Sequence, residues 1–324
     1  MVVANKASDM SQATAVLLTA FGTPRSFDEV EPFYRTIRGG RPLTPELLQE
    51  LGDRYHRVGG TTPLLKVTEE VAHALERQLN AKGESGYKVY IGMRYWHPFI
   101  AEAVQQIAAD GISRVIGMAL APQYSTMSTD GYRGPMEDAL RALPQPPSAR
   151  FVDSWHANPL FIATIAQRIK DALKGFSSGN GDGVEVVFSA HSLPSRILQV
   201  GDPYPQELRQ SCEAVAKAVG LSRWHFAYQS PGRTGEPWLG PAVLETLGKL
   251  ASEGRDQVLL VPIGFVSDNL EIVYDIDVEA QELAQGLGVH LERIEMPNAS
   301  PAFVAALAEV VLHGTGARLR DCLL

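Results

Sequence analysis

Three carboxylates follow one another at four-residue spacing in the last third of the chain. In the stretch SDNLEIVYDIDVEAQ, Glu271, Asp275 and Glu279 stand at positions i, i+4 and i+8, which places them on one face of a continuous α-helix. Like charges stacked in this way destabilise a helix by about 0.2–0.5 kcal/mol per pair. Such a row is either a solvated face or a group that handles cations and protons, since neighbouring carboxylates in a pocket have raised pKa values.

A histidine stands at the end of a predicted strand in the motif FSAHSLP. This residue, His191, could bind a metal ion or accept a proton near pH 7 through its neutral imidazole. A hydrogen-bonded structural histidine is the alternative, and position alone does not decide between them. The neighbouring Ser189 and Ser192 are weak candidates for a hydrolase nucleophile, because neither stands in a G-x-S-x-G elbow.

Arginine and aromatic side chains are candidates for contacts with a flat anionic ligand. Guanidinium groups bind carboxylates and phosphates through paired hydrogen bonds, although an ordinary surface face explains their spacing equally well. Aromatic side chains usually fill a core and can also form the wall of a flat apolar ligand site. The residues concerned are Arg35, Arg38, Arg41, Arg54, Tyr95, Trp96 and Trp238.

Short apolar runs alternate with amphipathic stretches, a pattern typical of βαβ units and a parallel sheet. Ligands of such sheets bind outside the carboxyl ends of the strands, where His191 and the start of the acidic row lie. The predicted strands cover residues 15–19, 87–93, 114–120, 150–152, 184–189, 225–229, 257–262 and 290–294. The predicted helices include residues 68–79, 100–108, 160–173, 204–219 and 239–252.

The two halves of the chain repeat this pattern in the same order. AVLLTAFGTP corresponds to VEVVFSAHSLP, and VIGMALAPQYS corresponds to VLLVPIGFVSD. We therefore predict an α/β fold of two similar domains, covering residues 15–153 and 154–324. Strand ends of unrelated α/β units also look alike and would produce some of the same likeness. The last helix could pack against either domain. Residues 1–14 are predicted to be a frayed tail.

Composition argues against several classes of function. The 324 residues include 29 basic and 37 acidic side chains, a net charge of -8, whereas nucleic-acid binding requires a basic face. Two cysteines cannot form a four-cysteine zinc or iron–sulfur site. The sequence has no apolar stretch of the length that a membrane helix needs and no secretory signal pattern. We predict a cytoplasmic protein without nucleic-acid partners.

Several motifs taken together resemble those of the ferrochelatase family. FSAHSLP, GDPYP, PWLGP and VPIGFVSDNLEIVYDID occur in order, and AFGTP, RGGRP, DRYHRVGGTTPL, LAPQYSTMS and EMPNASPAF extend the resemblance over residues 15–311. RGGR and MPNA look most like the Gram-positive-type enzymes that insert Fe²⁺ into coproporphyrin III, a ring with four propionates, on the way to haem. The resemblance implies two Rossmann-like domains, each with a mainly four-stranded parallel sheet flanked by helices, and a porphyrin cleft between them.

The resemblance also implies roles for individual residues. His191 and Glu271 would be the catalytic pair that faces the metal. Asp275 and Glu279 would relay protons or hold a hydrated divalent ion such as Mg²⁺. The residues implied to contact the porphyrin and its propionates are Phe21, Arg38, Arg41, Arg54, Thr62, Tyr132 and Trp238.

Three positions depart from the family pattern. Phe21 stands where a tyrosine is expected, Tyr95 where a histidine is often found, and Asn269 replaces the histidine of DHLE. These departures concern iron delivery and product ligation, because His191 and Glu271 are retained. The C-terminal DCLL lacks the cysteines that bind an iron–sulfur cluster in some relatives, so no prosthetic group is expected and Fe²⁺ is a substrate.

Three other functions compete with coproporphyrin metallation. A protoporphyrin IX ferrochelatase is the nearest one, and a cobalt chelatase for a precorrin-type ring is disfavoured by the order and length of the motifs. A non-catalytic haem or metal carrier belongs to another class, and the acidic row argues against it because a carrier needs no proton relay. We expect a monomer, and the resemblance implies a downstream coprohaem decarboxylase as a further partner.

Overall fold

The computed structural model describes residues 13–81, 86–176, 183–232 and 235–322, and it divides into two compact units. The first unit contains the described residues up to Asn158 and again from Asn298, and the second contains Pro159–Pro297. No helix in these described ranges is long and apolar enough to cross a membrane. The predicted tail lies outside the described residues up to residue 12, whereas Thr14 already belongs to a strand.

The first unit is built on a sheet of five strands in the order β2-β1-β3-β4-β9. Four strands are parallel: β1 (Thr14–Ala20), β2 (Tyr87–Met93), β3 (Arg114–Ala119) and β4 (Ser148–Ser154). The fifth, β9 (Arg318–Asp321), pairs antiparallel with β4. All residues of β1 are buried, as expected for a central strand covered on both faces.

The helices of the first unit lie in the connections between its strands. Thr44 caps α2 by accepting a hydrogen bond from Leu47 N at 3.3 Å. The helices are α1 (Val30–Ile37), α2 (Pro45–Arg57), α3 (Leu64–Asn80), α4 (Ile100–Ala109), α5 (Asp130–Arg141) and α11 (Pro301–His313).

The second unit is built on a sheet of four parallel strands in the order β6-β5-β7-β8. The strands are β5 (Glu185–His191), β6 (His225–Gln229), β7 (Gln257–Val261) and β8 (His290–Arg293). The helices are α6 (Pro159–Leu173), α7 (Tyr204–Val219), α8 (Val243–Ser252), α9 (Leu270–Val273) and α10 (Gln281–Leu287). A short 3₁₀ helix covers Ser195–Val200, and a π-helical segment covers Asp275–Ala280.

The predicted fold class is confirmed, with one additional strand. The structure has two mainly parallel sheets flanked by helices, and β6 and α7 have the predicted bounds. Strand β9 is absent from the prediction because its sequence, RLRD, has no apolar alternation and all four of its residues are exposed. Pairing with β4 rather than burial of its side chains makes it a strand.

The last segment of the chain belongs to the first unit, whereas the predicted second domain ran from residue 154 to residue 324. Trp155 and Phe303 are both fully buried, with ring centroids 6.0 Å apart. Helix α11 also packs against α3, and Cys322 N donates to the carbonyl of Ala149 at 3.0 Å. Because α11 is apolar over most of its surface, it needs a partner face, and the first unit supplies it.

Candidate active site

His191 is the last residue of β5, at the carboxyl edge of the second sheet. Its Nδ1 lies 2.5 Å from the carbonyl oxygen of Ser192. A carbonyl oxygen only accepts, so Nδ1 carries the proton, and in the neutral ring Nε2 holds the lone pair. Nε2 has no hydrogen-bond partner among the described residues. This arrangement, with one ring nitrogen anchored to a carbonyl, is the one that metal-binding histidines adopt.

A buried tyrosine holds the backbone of His191 in place. The hydroxyl of Tyr204 donates to the carbonyl oxygen of His191 at 3.0 Å. Burial raises the pKa of Tyr204 well above its usual value, so the hydroxyl remains a donor. The His191 ring has Phe265 and Trp238 as aromatic neighbours, at centroid distances of 6.4 and 6.5 Å.

The loop after His191 is pinned to the segment that carries Trp238. Leu239 N donates to Leu193 O and Ser195 N donates to Pro237 O, both at 2.9 Å. Ser192 Oγ donates to Leu239 O at 2.8 Å. These bonds place the half-buried Trp238 beside His191.

Glu271 lies in the first turn of α9, just after the loop that follows β7. Its carboxylate is half-buried and makes no hydrogen bond or ion pair with any described residue. Asn269 caps this helix, since its Oδ1 accepts a hydrogen bond from Ile272 N at 3.1 Å. At the position where the family pattern has histidine, this chain therefore has a helix cap.

Gln229, to which sequence reasoning gave no individual role, joins the strand of His191 to the helix of Glu271. Its Nε2 donates to the backbone carbonyl of Glu271 at 2.9 Å, and its Oε1 accepts from Ser189 Oγ at 2.8 Å. Its own carbonyl accepts from Ser192 N at 2.7 Å. Gln229 thus brings the predicted catalytic pair to one edge of the sheet. Its place as the last residue of a predicted strand, β6, was the available signal.

The acidic row spans two kinds of helix instead of one continuous α-helix. Helix α9 ends at Val273, and the π-helical segment follows, in which Glu279 N donates to Tyr274 O at 2.9 Å. Bonds of the i→i+5 type wind the chain slightly more widely than those of an α-helix, so residues four apart still lie close to one another around the helix axis. The segment is thus not one continuous α-helix, and the shared face of the three carboxylates stays a prediction.

The row also supplies no ready metal cluster. Asp275 accepts a hydrogen bond from Ser230 Oγ, and Glu279 is exposed. Within the described part of the chain, no three His, Cys, Asp or Glu side chains form a group that could hold a metal ion. A hydrated Mg²⁺ needs only one or two carboxylates besides its waters, so the accessory Mg²⁺ and the relay role of Asp275 and Glu279 both stay predictions.

In the first unit, the two aromatic departures from the family pattern contact one another. Phe21 follows β1 directly and is 37% exposed, and its ring centroid lies 4.7 Å from that of Tyr95. The nearby Thr62 is buried and shares a hydrogen bond of 2.8 Å with Thr23, in the turn after β1. Phe21 therefore offers an apolar surface where a tyrosine would offer an oxygen ligand.

Arg94, another residue that sequence reasoning did not select, organises the surroundings of Tyr132. Its guanidinium carbon lies 4.8 Å from the Tyr95 ring centroid and 5.7 Å from that of Tyr132. Its Nη1 donates to Ser128 O at 3.2 Å. Tyr132 itself is buried in the core of the first unit. A cation over these rings is a stabilising contact, and the propionate-binding role of Tyr132 stays a prediction.

The four candidate arginines differ in how they are paired. Arg54 and Arg35 form ion pairs with glutamates one turn away, at 3.4 and 3.1 Å. Arg38 and Arg41 pair with no carboxylate among the described residues, although Arg41 Nε donates to Arg38 O at 3.0 Å. The Nε of Arg38 is buried without an acceptor, which costs about 1–3 kcal/mol unless a ligand supplies one.

Comparison with known proteins gives a family match over most of the chain. The model of the ferrochelatase family matches residues 13–315. A ferrochelatase of Herpetosiphon aurantiacus is 51% identical over 302 residues, which cover 93% of this chain and 99% of that protein. The coproporphyrin III ferrochelatase of Bacillus subtilis is 38% identical over 303 residues, covering 93% and 97%. A ferrochelatase of Thermus thermophilus is 39% identical over 312 residues, covering 91% and 98%.

Solved structures support the fold at much lower sequence identity. The structure of SirB from Bacillus subtilis with Fe³⁺ has a TM-score of 0.57 and 12% identity, over 94% of this chain and 96% of that one. This similarity concerns the arrangement of strands and helices.

Proposed function

This chain belongs to the ferrochelatase family, and we propose that it inserts Fe²⁺ into coproporphyrin III with release of two protons, in haem biosynthesis. The relatives that support this ring include the coproporphyrin III ferrochelatases of Bacillus subtilis and Halalkalibacterium halodurans, at 38% and 39% identity. The unsatisfied Nε of Arg38 supports it as well, because a propionate is an acceptor suited to a guanidinium.

The observation that carries the proposal is the state of His191. Its Nδ1 is committed to a backbone carbonyl, which leaves Nε2 as a lone pair without a partner in the described structure. The uncompensated carboxylate of Glu271 is held at the same sheet edge through Gln229. A lone-pair nitrogen and an unpaired carboxylate are the groups that an incoming Fe²⁺ and two departing protons require.

The proposed reaction exchanges one Fe²⁺ for two pyrrole protons. Free energy from binding of the propionates and ring faces distorts the planar ring and exposes its nitrogen lone pairs. Of His191 and Glu271, one guides the metal while the other accepts protons, and the two protons then leave to solvent. The side chains that we propose for the propionates are Arg38, Arg41, Thr62 and Tyr132, with Arg54, Phe21 and Trp238 as further porphyrin contacts.

The test is an anaerobic comparison of rings. Purified protein is mixed with Fe²⁺ and either coproporphyrin III or protoporphyrin IX, and the loss of the free-base absorption bands is followed. Faster metallation of the four-propionate ring supports the proposal. Faster metallation of protoporphyrin IX would replace it with the second candidate. The 51% identical relative is described as a ferrochelatase without a stated ring and is compatible with either candidate. Tight binding without metallation would leave a carrier.

Three lesser proposals follow from the same assignment. Activity requires no prosthetic group, the enzyme is a monomer, and a coprohaem decarboxylase takes up its product in the cytoplasm. Dialysis against a chelator followed by assay with Fe²⁺ alone tests the first, and sedimentation velocity tests the second. Transfer of product between the two purified enzymes tests the third.

A further inference from the structure

Arg293, the last residue of β8, holds two carboxylates at once. Its Nε and Nη2 donate to the two carboxylate oxygens of Asp277 at 2.6 and 2.8 Å. Its Nη2 also lies 3.0 Å from Asp268 Oδ1. Burial acts to lower the pKa of Arg293, but hydrogen bonds and charge from Asp277 and Asp268 outweigh it and raise the pKa. The guanidinium is therefore a permanent cation between two anions.

The two carboxylates bracket the segment that carries Glu271. Asp268 lies before the cap of α9, and Asp277 lies inside the π-helical segment, so residues 268–277 form a loop closed by one guanidinium. This loop contains a helix of only four residues, a turn and the start of the π segment. The backbone hydrogen bonds of this stretch change from the i→i+4 to the i→i+5 type, so they do not form one regular helix, and side-chain contacts help to set its shape.

We propose that Arg293 is a positioning residue for iron insertion, which fixes the Glu271 carboxylate by closing the loop from Asp268 to Asp277. The inference rests on the proposed role of Glu271. In this role Arg293 contacts neither the substrate nor the reacting atoms. It acts through the backbone of the loop, to which Gln229 also donates a hydrogen bond at the carbonyl of Glu271.

The geometry of the contact makes arginine necessary. Two parallel N–H groups engage the two oxygens of Asp277 while the same guanidinium reaches Asp268. The ammonium of lysine is a point charge and cannot reproduce this planar fork. A displacement of a reacting group by about 1 Å can lower a rate about 100-fold. Arg293→Lys should therefore keep the positive charge but no longer hold the loop from Asp268 to Asp277 in its position.

A matched ion pair in the same unit serves as control. Arg168 pairs with Glu295, two residues beyond Arg293, and its side chain is 23% exposed compared with 19% for Arg293. Arg168 makes no hydrogen bond or ion pair with residues 268–277, all of which the structure describes. Arg168→Lys should then leave the metallation rate unchanged, while Arg293→Lys should lower kcat by about 10- to 100-fold. The KM for porphyrin should stay the same in both variants.

The deciding experiment combines Arg293→Lys with Glu271→Gln in single-turnover metallation, with thermal unfolding and porphyrin binding measured on each protein. If Arg293 acts through Glu271, Arg293→Lys causes no further loss of rate in the Glu271→Gln background. An equal loss in both backgrounds would overturn the proposal and leave a general structural role. Metallation by Glu271→Gln at the wild-type rate would instead refute the role of Glu271, and the positioning proposal with it.

Asp277→Asn provides a second variant should Arg293→Lys fail to fold. Asp277 is partly exposed, and asparagine keeps its size while removing its charge. We expect Asp277→Asn to lower kcat by less than Arg293→Lys does. In the Glu271→Gln background, Asp277→Asn should cause no further loss of rate. An unchanged kcat in this variant would contradict the proposal.

Discussion

At the scale of single residues, the proposed chemistry depends on two side chains, His191 and Glu271, whose Nε2 and carboxylate make no hydrogen bond or ion pair in the described part of the chain. A free lone pair on His191 and a carboxylate without a counter-ion are unfavourable arrangements for stability alone, since partly buried polar groups are normally satisfied. By contrast, the neighbouring side chains of Tyr204, Gln229 and Asn269 all make hydrogen bonds that hold the surrounding backbone. Rigid supports around free functional groups are characteristic of a preorganised site.

The first prediction concerns Glu271→Gln. The variant should bind porphyrin as tightly as the wild type but metallate it at least about 100-fold more slowly, because the amide neither accepts protons nor carries charge. Fluorescence titration measures binding, and absorption kinetics measure metallation. Glu213→Gln is the control, since Glu213 is exposed on α7 and has no proposed role in the reaction. Turnover near the wild-type rate in Glu271→Gln would remove this residue from the mechanism.

The second prediction concerns Gln229→Leu. Leucine leaves the Ser189 hydroxyl and the Glu271 carbonyl without their partners, which should destabilise the protein by about 1–3 kcal/mol. The metallation rate should fall as well, because the variant loses the hydrogen bond that holds the backbone of Glu271 near the strand end of His191. Urea unfolding and the metallation rate measure the two effects. Gln281→Leu, which loses one bond to Leu291 O elsewhere in the unit, should change stability without the loss of rate.

At the scale of elements, strand β9 supplies positive charges next to a buried carboxylate of the first sheet. Asp153 on β4 is 1% exposed, and Arg320 on β9 lies 2.9 Å from its Oδ2. Arg133 and Arg318 lie farther away, at 3.6 and 3.9 Å. The match to the family model ends at residue 315, before this strand. The strand thus lies outside the matched residues and supplies a counter-charge to a buried carboxylate.

The third prediction concerns Arg320→Ala and its dependence on pH. Removing the nearest counter-charge of Asp153 should cost about 1–3 kcal/mol at neutral pH. Burial raises the pKa of Asp153, and Arg320, Arg133 and Arg318 oppose this rise. With a raised pKa, ionisation of Asp153 costs native stability, so its contribution is most favourable at low pH and is lost as pH rises through that pKa.

Arg320 interacts favourably only with the ionised form of Asp153. The difference in unfolding free energy between wild type and Arg320→Ala should therefore shrink as the pH falls through the pKa of Asp153. Thermal or urea unfolding at several pH values measures it. Arg150→Ala is the control, because the Arg150–Asp321 pair is largely exposed and should change stability by less than about 0.5 kcal/mol. A pH-independent difference would show that Arg320 acts through packing instead.

At the scale of the whole molecule, the chain leaves the first unit after Asn158 and returns to it at Asn298. Helix α11 buries Phe303 and Leu307 completely in that unit. Loss of a single buried phenylalanine typically costs about 3–5 kcal/mol, which is comparable to the whole stability of a small domain. The first unit is therefore discontinuous in sequence and needs both of its segments.

The fourth prediction follows from this discontinuity. A fragment of residues 1–158 should not fold cooperatively, whereas the same fragment joined by a flexible linker to residues 298–324 should. Near-ultraviolet circular dichroism of Trp155, whose ring lies 6.0 Å from that of Phe303 at an interplanar angle of 44°, reports on the native packing. The continuous fragment 159–297 is the matched comparison. Cooperative unfolding of 1–158 alone would show that α11 and β9 are dispensable for the unit.

The sequence by itself determined most of the regular elements, although not β9 or the π-helical segment, and the family to which the chain belongs. Buried parallel strands and amphipathic helices leave strong local patterns, so β6 and α7 could be predicted to the residue. His191 and Glu271 were identifiable because a motif contains them. These features depend on near neighbours in the chain, whose spacing is visible without a structure.

Only the tertiary structure decided how those residues are arranged and held. The acidic row follows α-helical spacing in the sequence, yet part of it lies in a π-helical segment. The support of Glu271 by Gln229 and Arg293, the neutralisation of Asp153 by β9, and the return of α11 to the first unit all join distant parts of the chain. Such contacts follow from strand order and from the burial of charge, which no local periodicity encodes.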